Sequence, residues 1–85
     1  MHKQCLLSDI LPGQRATVSA LLSHDGMRRR LMDIGLVPET KVECVGQSPS
    51  GDPRAFLIRG AVIALRREDC DNIAVVSHQG ATAWD

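Results

Sequence analysis

Arg28, Arg29 and Arg30 stand side by side and are the longest run of like charge in the chain. Adjacent guanidinium groups can grip a polyanion, pair with carboxylates across a protein interface, or stabilise phosphoryl transfer on another protein. A second set of reactive side chains is scattered. His2 and Cys5 form a His-x-x-Cys pair, His24 adjoins Asp25, and His78 comes late. Imidazole, thiolate and carboxylate are ligands for iron, zinc or nickel. None of these residues has the spacing of a dedicated centre. The expectation is therefore no required cofactor, with adventitious zinc or iron as the most that His2, Cys5, His24, Asp25 and His78 would hold. Cys5, Cys44 and Cys70 are odd in number, far apart and without a Cys-x-x-Cys. That argues against a disulfide framework or a zinc knuckle and for a reducing cytoplasm. The glycines are scattered and make no phosphate-cradling loop. No local Cys–His signature points to a nucleophile. No catalytic residue is expected.

Charge balance narrows the role of the arginines. Ten basic residues offset ten acidic ones, whereas a sequence-independent nucleic-acid binder shows a basic excess. Phe56 and Trp84 are the only aromatics, too few to interleave with cations for base stacking. Nucleic acid is not an expected partner. No apolar run approaches the roughly 20 residues of a membrane helix. The start, MHKQCLLSDI, has no long apolar stretch and no small-residue cleavage site, so neither insertion nor a signal peptide is expected.

The elements that must position these residues follow from the punctuation. Ser8 is placed to cap a brief turn that Pro12 and Gly13 end. RATVSALL alternates, with Ala16, Val18, Ala20 and Leu22 on one face and Arg15, Thr17, Ser19 and Leu21 on the other, the pattern of a half-buried strand. Ser23 or Asp25 then caps a helix that Gly35 ends and Pro38 keeps from resuming. Met27, Leu31 and Ile34 make its apolar stripe. Asp25–Arg29 and Arg29–Asp33 are spaced for intrahelical ion pairs. At about 100° per residue the three arginines fan out instead of forming one patch. TKVECVG is a second strand with Val42 and Cys44 on one face, and Ser48–Pro53 is a turn. RAFLIRG and AVIALR form a hairpin through Gly60, Arg67–Asn72 is one helical turn, and Ile73–Val76 is the last strand. Five short strands and one short helix predict an all-β domain, a small and strongly bent barrel. A single domain spans residues 1–85, with its core at 7–76 and a loose tail at 77–85.

The order of these pieces resembles the FeoA family, small cytoplasmic proteins of bacterial ferrous iron uptake with an SH3-like barrel. The resemblance lies in LSDILPGQRATV from Leu7 to Val18, in RRLMDIGLVP from Arg29 to Pro38, in Gly51-Asp52-Pro53, and in ALRRED from Ala64 to Asp69. Two positions depart from the family pattern. Glu39 follows Pro38 where a Gly is usual, and Cys70 stands where a small residue such as Ala is usual. Cys70 therefore reads as a packed apolar residue and not a reactive thiol.

The resemblance implies a non-enzymatic adaptor or regulator acting on FeoB, a membrane permease whose cytoplasmic part binds and hydrolyses GTP. On that reading Arg28, Arg29 and Met32 contact the partner, and Gly51, Asp52 and Pro53 form a second edge. Leu31 and Gly35 fix the helix in place. A surface this small supports a transient complex, below about 1,200 Å² of total buried area, and leaves room for a weak homodimer. An arginine finger from Arg28 or Arg29 is the speculative extreme. Two other classes are open: an SH3-like module related to the C-terminal domains of metal-dependent repressors, though without a helix-turn-helix before it, and a small transition-metal carrier using His and Cys.

Overall fold

The structure is a computed structural model and describes residues 2–78. Six antiparallel strands make one sheet: β1 (His2–Leu6), β2 (Arg15–Leu21), β3 (Lys41–Gln47), β4 (Arg54–Ile58), β5 (Ala61–Leu65) and β6 (Ile73–His78). Their order is β1-β6-β2-β3-β4-β5. A 3-10 turn at Leu7–Asp9, helix α1 (Asp25–Asp33) and the short helix α2 (Arg67–Cys70) complete the chain. The sheet coils around a core of Leu, Ile and Val centred on Phe56, which is fully buried with Leu7 and Leu36. This is the SH3-like, all-β architecture with one helix of more than one turn.

One strand more is present than the sequence pattern predicts. β1 carries no apolar alternation, and its existence rests on pairing with β6 along the register Cys5↔Val75 and Leu6↔Ala74. Ser77 and His78 belong to β6 and not to a tail; the rest of the expected tail, 79–85, lies outside the described residues. In β2 a register shift between Val18 and Ala20 breaks the predicted alternation. A bulge adds one residue and exchanges the faces beyond it. Ala16, Val18 and Leu21 are therefore buried, while Leu22 is half exposed.

Capping differs from expectation at two starts and agrees at one end. Ser8 lies inside the 3-10 turn, and Asp9 secures it instead, its Oδ2 accepting from Leu6 N at 3.0 Å. At α1 the N-cap is His24, and neither Ser23 nor Asp25 supplies a side-chain cap. Ser23 is buried, and Asp25 takes a positive φ of 54°. The C-terminus follows prediction. Gly35 adopts φ 104°, Gly35 N donates to Met32 O and Leu36 N to Leu31 O, both at 3.0 Å. That pair of bonds is a Schellman motif, and buried Leu31 and Leu36 are its apolar clasp.

Two further turns place the barrel's rims. Arg59 and Gly60, both at positive φ, make the two-residue β4–β5 hairpin, which pairs Ile58 with Ala61. Glu39 sits at φ 78°, with its N–H on Val18 O at 2.8 Å. The left-handed geometry that suits Gly is thus kept at this position although the residue is Glu.

Candidate protein-binding site

α1 is held against the barrel by its apolar stripe. Leu31 is buried, and Met27 and Ile34 pack partly against the core. The three arginines are all exposed, but they differ in what they touch. Arg30 leaves the helix toward α2, its Nη2 donating to Asp69 Oδ1 at 2.6 Å. Arg28 Nη1 reaches Leu21 O at 3.4 Å, a long contact. Arg29 makes no hydrogen bond or ion pair among the described residues. The intrahelical pairs with Asp25 and Asp33 do not form. With Asp25 in a left-handed conformation, the first turn lacks the regular spacing that such a pair needs.

Arg28, Arg29 and Met32 are related by three and four positions, so they share one side of the helix. Met32 is 42% exposed, a flexible thioether beside two guanidinium groups. This side can offer two bidentate carboxylate grips around a polarisable apolar contact. The three arginines still fan out as the helical spacing requires, and Arg30, farthest round from Arg28, meets Asp69.

The second expected edge, Ser48–Pro53, is an ordered loop. Ser48 Oγ donates to Asp52 O at 2.7 Å and accepts from Asp52 N at 3.1 Å. Gly51 takes φ 88° and donates its N–H to Ser48 O at 2.8 Å. Asp52 Oδ1 accepts from Arg67 N at 2.9 Å, capping α2 from across the barrel mouth. α2 therefore links the two expected edges: Asp52 holds its first N–H, and its Asp69 holds Arg30. Pro53 is exposed.

Arg54 is the residue that sequence reading missed. Its Nη1 donates to Ser8 O and, at 3.0 Å, to Ile10 O, and its Nε donates to Gln47 Oε1 at 3.3 Å. It pins the 3-10 turn onto β4. No local spacing could announce the Ser8 and Ile10 carbonyls, more than forty residues away.

Among the described residues the metal-ligand candidates do not gather at one place: no group of three or more His, Cys, Asp or Glu side chains converges. His78 Nε2 lies 2.6 Å from Thr17 Oγ1. His24 and Asp25 are exposed at the start of α1, and Cys5 packs against the core. The backbone register sets His2 opposite His78, so His2 and Cys5 belong to separate cross-strand rows. Cys70 is buried and its thiol is pushed up to about 12, first by desolvation and then by the charge of Asp69. Burial also raises the Cys44 thiol, which donates to Gly46 O at 3.5 Å. Both thiols are protonated at neutral pH and so poor nucleophiles.

Residues 5–77 match the family model described as the FeoA domain. The chain belongs to the FeoA family. A FeoA protein from Chlorobium tepidum is 32% identical, with 95% of this chain and 81% of that one covered at a TM-score of 0.81. The FeoA of Stenotrophomonas maltophilia, described as a procaryotic SH3 domain protein complexed with zinc, is 25% identical over 84% of this chain and 88% of that one, at a TM-score of 0.75. A manganese-dependent transcriptional repressor shares the fold at a TM-score of 0.79 and 21% identity, with 88% of this chain matching 41% of the repressor. A search of curated proteins returns no significant match. FeoA proteins are implicated in iron uptake, and the similarity to the repressor is one of fold. Among the described residues no helix is long and apolar enough to cross a membrane.

Proposed function

We propose that this FeoA protein is a non-enzymatic cytoplasmic adaptor that regulates ferrous iron uptake by binding the cytoplasmic side of a FeoB-like, GTP-binding permease. The outward side of α1 is the contact surface, with Arg28, Arg29 and Met32 as its centre and the Gly51-Asp52-Pro53 loop as a flanking edge. The observation that carries this reading is Arg29: an exposed guanidinium with no partner among the described residues, next to a half-exposed Met on a helix whose opposite side is locked into the core. Leu31 and Gly35 set the angle at which that side is presented, through the buried stripe and the Schellman cap. Arg30 is already spoken for by Asp69, so it contributes rigidity more than recognition.

The test is capture of full-length permease in detergent by the wild-type protein, by Arg29→Ala and by Met32→Ala. Circular dichroism confirms that each variant is folded. The reading predicts retention by wild type and loss with either variant. Equal capture by all three would move the interface off α1. GTP turnover by the permease, measured with and without Arg29→Ala, separates docking from an arginine-finger role: unchanged turnover at saturating variant leaves docking alone.

A further inference from the structure

Among the described residues β5 is an uncovered edge strand, pairing with β4 on one side and with no strand on the other. Among the described residues no hydrogen bond outside the β4 ladder reaches Ala61–Leu65. Edge strands normally carry a Lys, a Pro or a bulge that blocks pairing with a stranger. Ala-Val-Ile-Ala-Leu carries neither of those residues, and its register with β4 runs without a shift. Its outer face continues an apolar ridge. Val62, 64% exposed, stands opposite Leu57, and Val45 on β3 is exposed as well.

Charge brackets this edge at both ends. Arg59 precedes it across the turn, and Arg66 and Arg67 follow it, ahead of exposed Glu68 and of Asp69, which is held by Arg30. All three arginines that bracket the strand are exposed, and none pairs through its side chain with another described residue. This argues against a second copy as the occupant. Antiparallel self-pairing about Ile63 would bring Arg59, just outside the strand, toward Arg67 of the other copy; a shift of one residue one way would bring it toward Arg66, and only the opposite shift toward Glu68. Like charges directly across a strand pair are destabilising. An apolar strand flanked by carboxylates meets no such conflict.

We propose that the β5 edge binds, by strand addition, an extended segment of a partner protein whose apolar stretch is bracketed by acidic residues. Main-chain hydrogen bonds extend the sheet, Leu57 and Val62 receive alternate apolar side chains, and the arginines fix the register. The inference does not rest on the α1 surface and stands or falls separately from it.

The probe is the capped peptide acetyl-Glu-Asp-Val-Thr-Val-Thr-Val-Asp-Glu-amide, titrated into the 15N-labelled chain. The expected result is amide shifts and slowed hydrogen exchange centred on Ala61–Leu65, weakened by added salt. Two changes separate strand addition from simple charge attraction. N-methylation of alternate peptide residues keeps every charge and removes donors from one edge. Val62→Lys adds a blocking cation at an exposed position that does not threaten folding. Each should weaken binding by at least about tenfold. The proposal is overturned by no binding, by equal binding of the methylated peptide, by shifts centred on α1, or by self-association through β5 in the absence of peptide.

Discussion

Arg54 and Arg29 carry the same guanidinium and meet opposite fates. Arg54 is half buried and donates to two backbone carbonyls and a side-chain amide, tying the 3-10 turn, β3 and β4 together. The Arg29 guanidinium is exposed and makes no hydrogen bond or ion pair among the described residues. The difference separates two uses of charge in a thin core. Near the loop mouth, where the Ser48–Pro53 turn, the 3-10 turn and α2 meet, polar side chains satisfy backbone groups that the strands leave unpaired. On α1 the C-terminal backbone groups are satisfied by the Schellman cap, and the Arg29 side chain is left free of hydrogen bonds among the described residues. Arginine side chains satisfied internally hold a fold, and unsatisfied ones on a rigid element are available for recognition.

The largest expected effect is at the loop mouth. Arg54→Ala leaves Ser8 O and Ile10 O without their charged donor and should cost roughly 2–3 kcal/mol, read as a drop in the urea midpoint. Next comes pH. The Cys70 thiol has its folded pKa raised from 9.0 to about 12. The unfolded thiol loses its proton first, so Cys70's contribution is fully present below pH 9 and is lost as pH rises from there. Stability should fall by up to about 1.4 kcal/mol per pH unit above 9, and Cys70→Ala should flatten that slope in denaturation curves. Asp52→Ala removes the side-chain acceptor at the start of α2 and should cost about 1 kcal/mol. Glu39→Gly should stabilise the fold by about 0.5 kcal/mol, since Gly relieves the strain at φ 78° but gives the unfolded chain more freedom. Either a larger loss with Arg29→Ala than with Arg54→Ala, or no loss with Arg54→Ala, would break the contrast between the two arginines.

Much of this architecture was readable in local patterns, and the misses share a physical cause. The α1 stripe, its Gly35 stop, the hairpin through Gly60 and the buried face of β3 depend on residues within a few positions of one another. β1 exists because β6 offers it a ladder from the far end of the chain. The β2 bulge answers to β6 as well, and it turns Leu21 inward and Leu22 outward against the simple alternation. At the candidate site, exposure of Arg28, Arg29 and Met32 followed from helical spacing. The capture of Arg30 by Asp69 did not, because the partner is thirty-nine positions away. The same holds for Asp52, whose role as the cap of α2 depends on the loop and the helix meeting in space.

Arg29→Ala should change stability by no more than about 0.5 kcal/mol, as for an exposed residue with no partner. The direct test of the central claim is therefore a binding map. The soluble cytoplasmic portion of the permease, loaded with a GTP analogue, is titrated into the 15N-labelled chain, wild type and Arg29→Ala, and amide perturbations are followed. The account predicts signal loss and shifts centred on Arg28, Arg29 and Met32, abolished by the substitution. Perturbations that leave α1 untouched, or that survive Arg29→Ala at full strength, would contradict it.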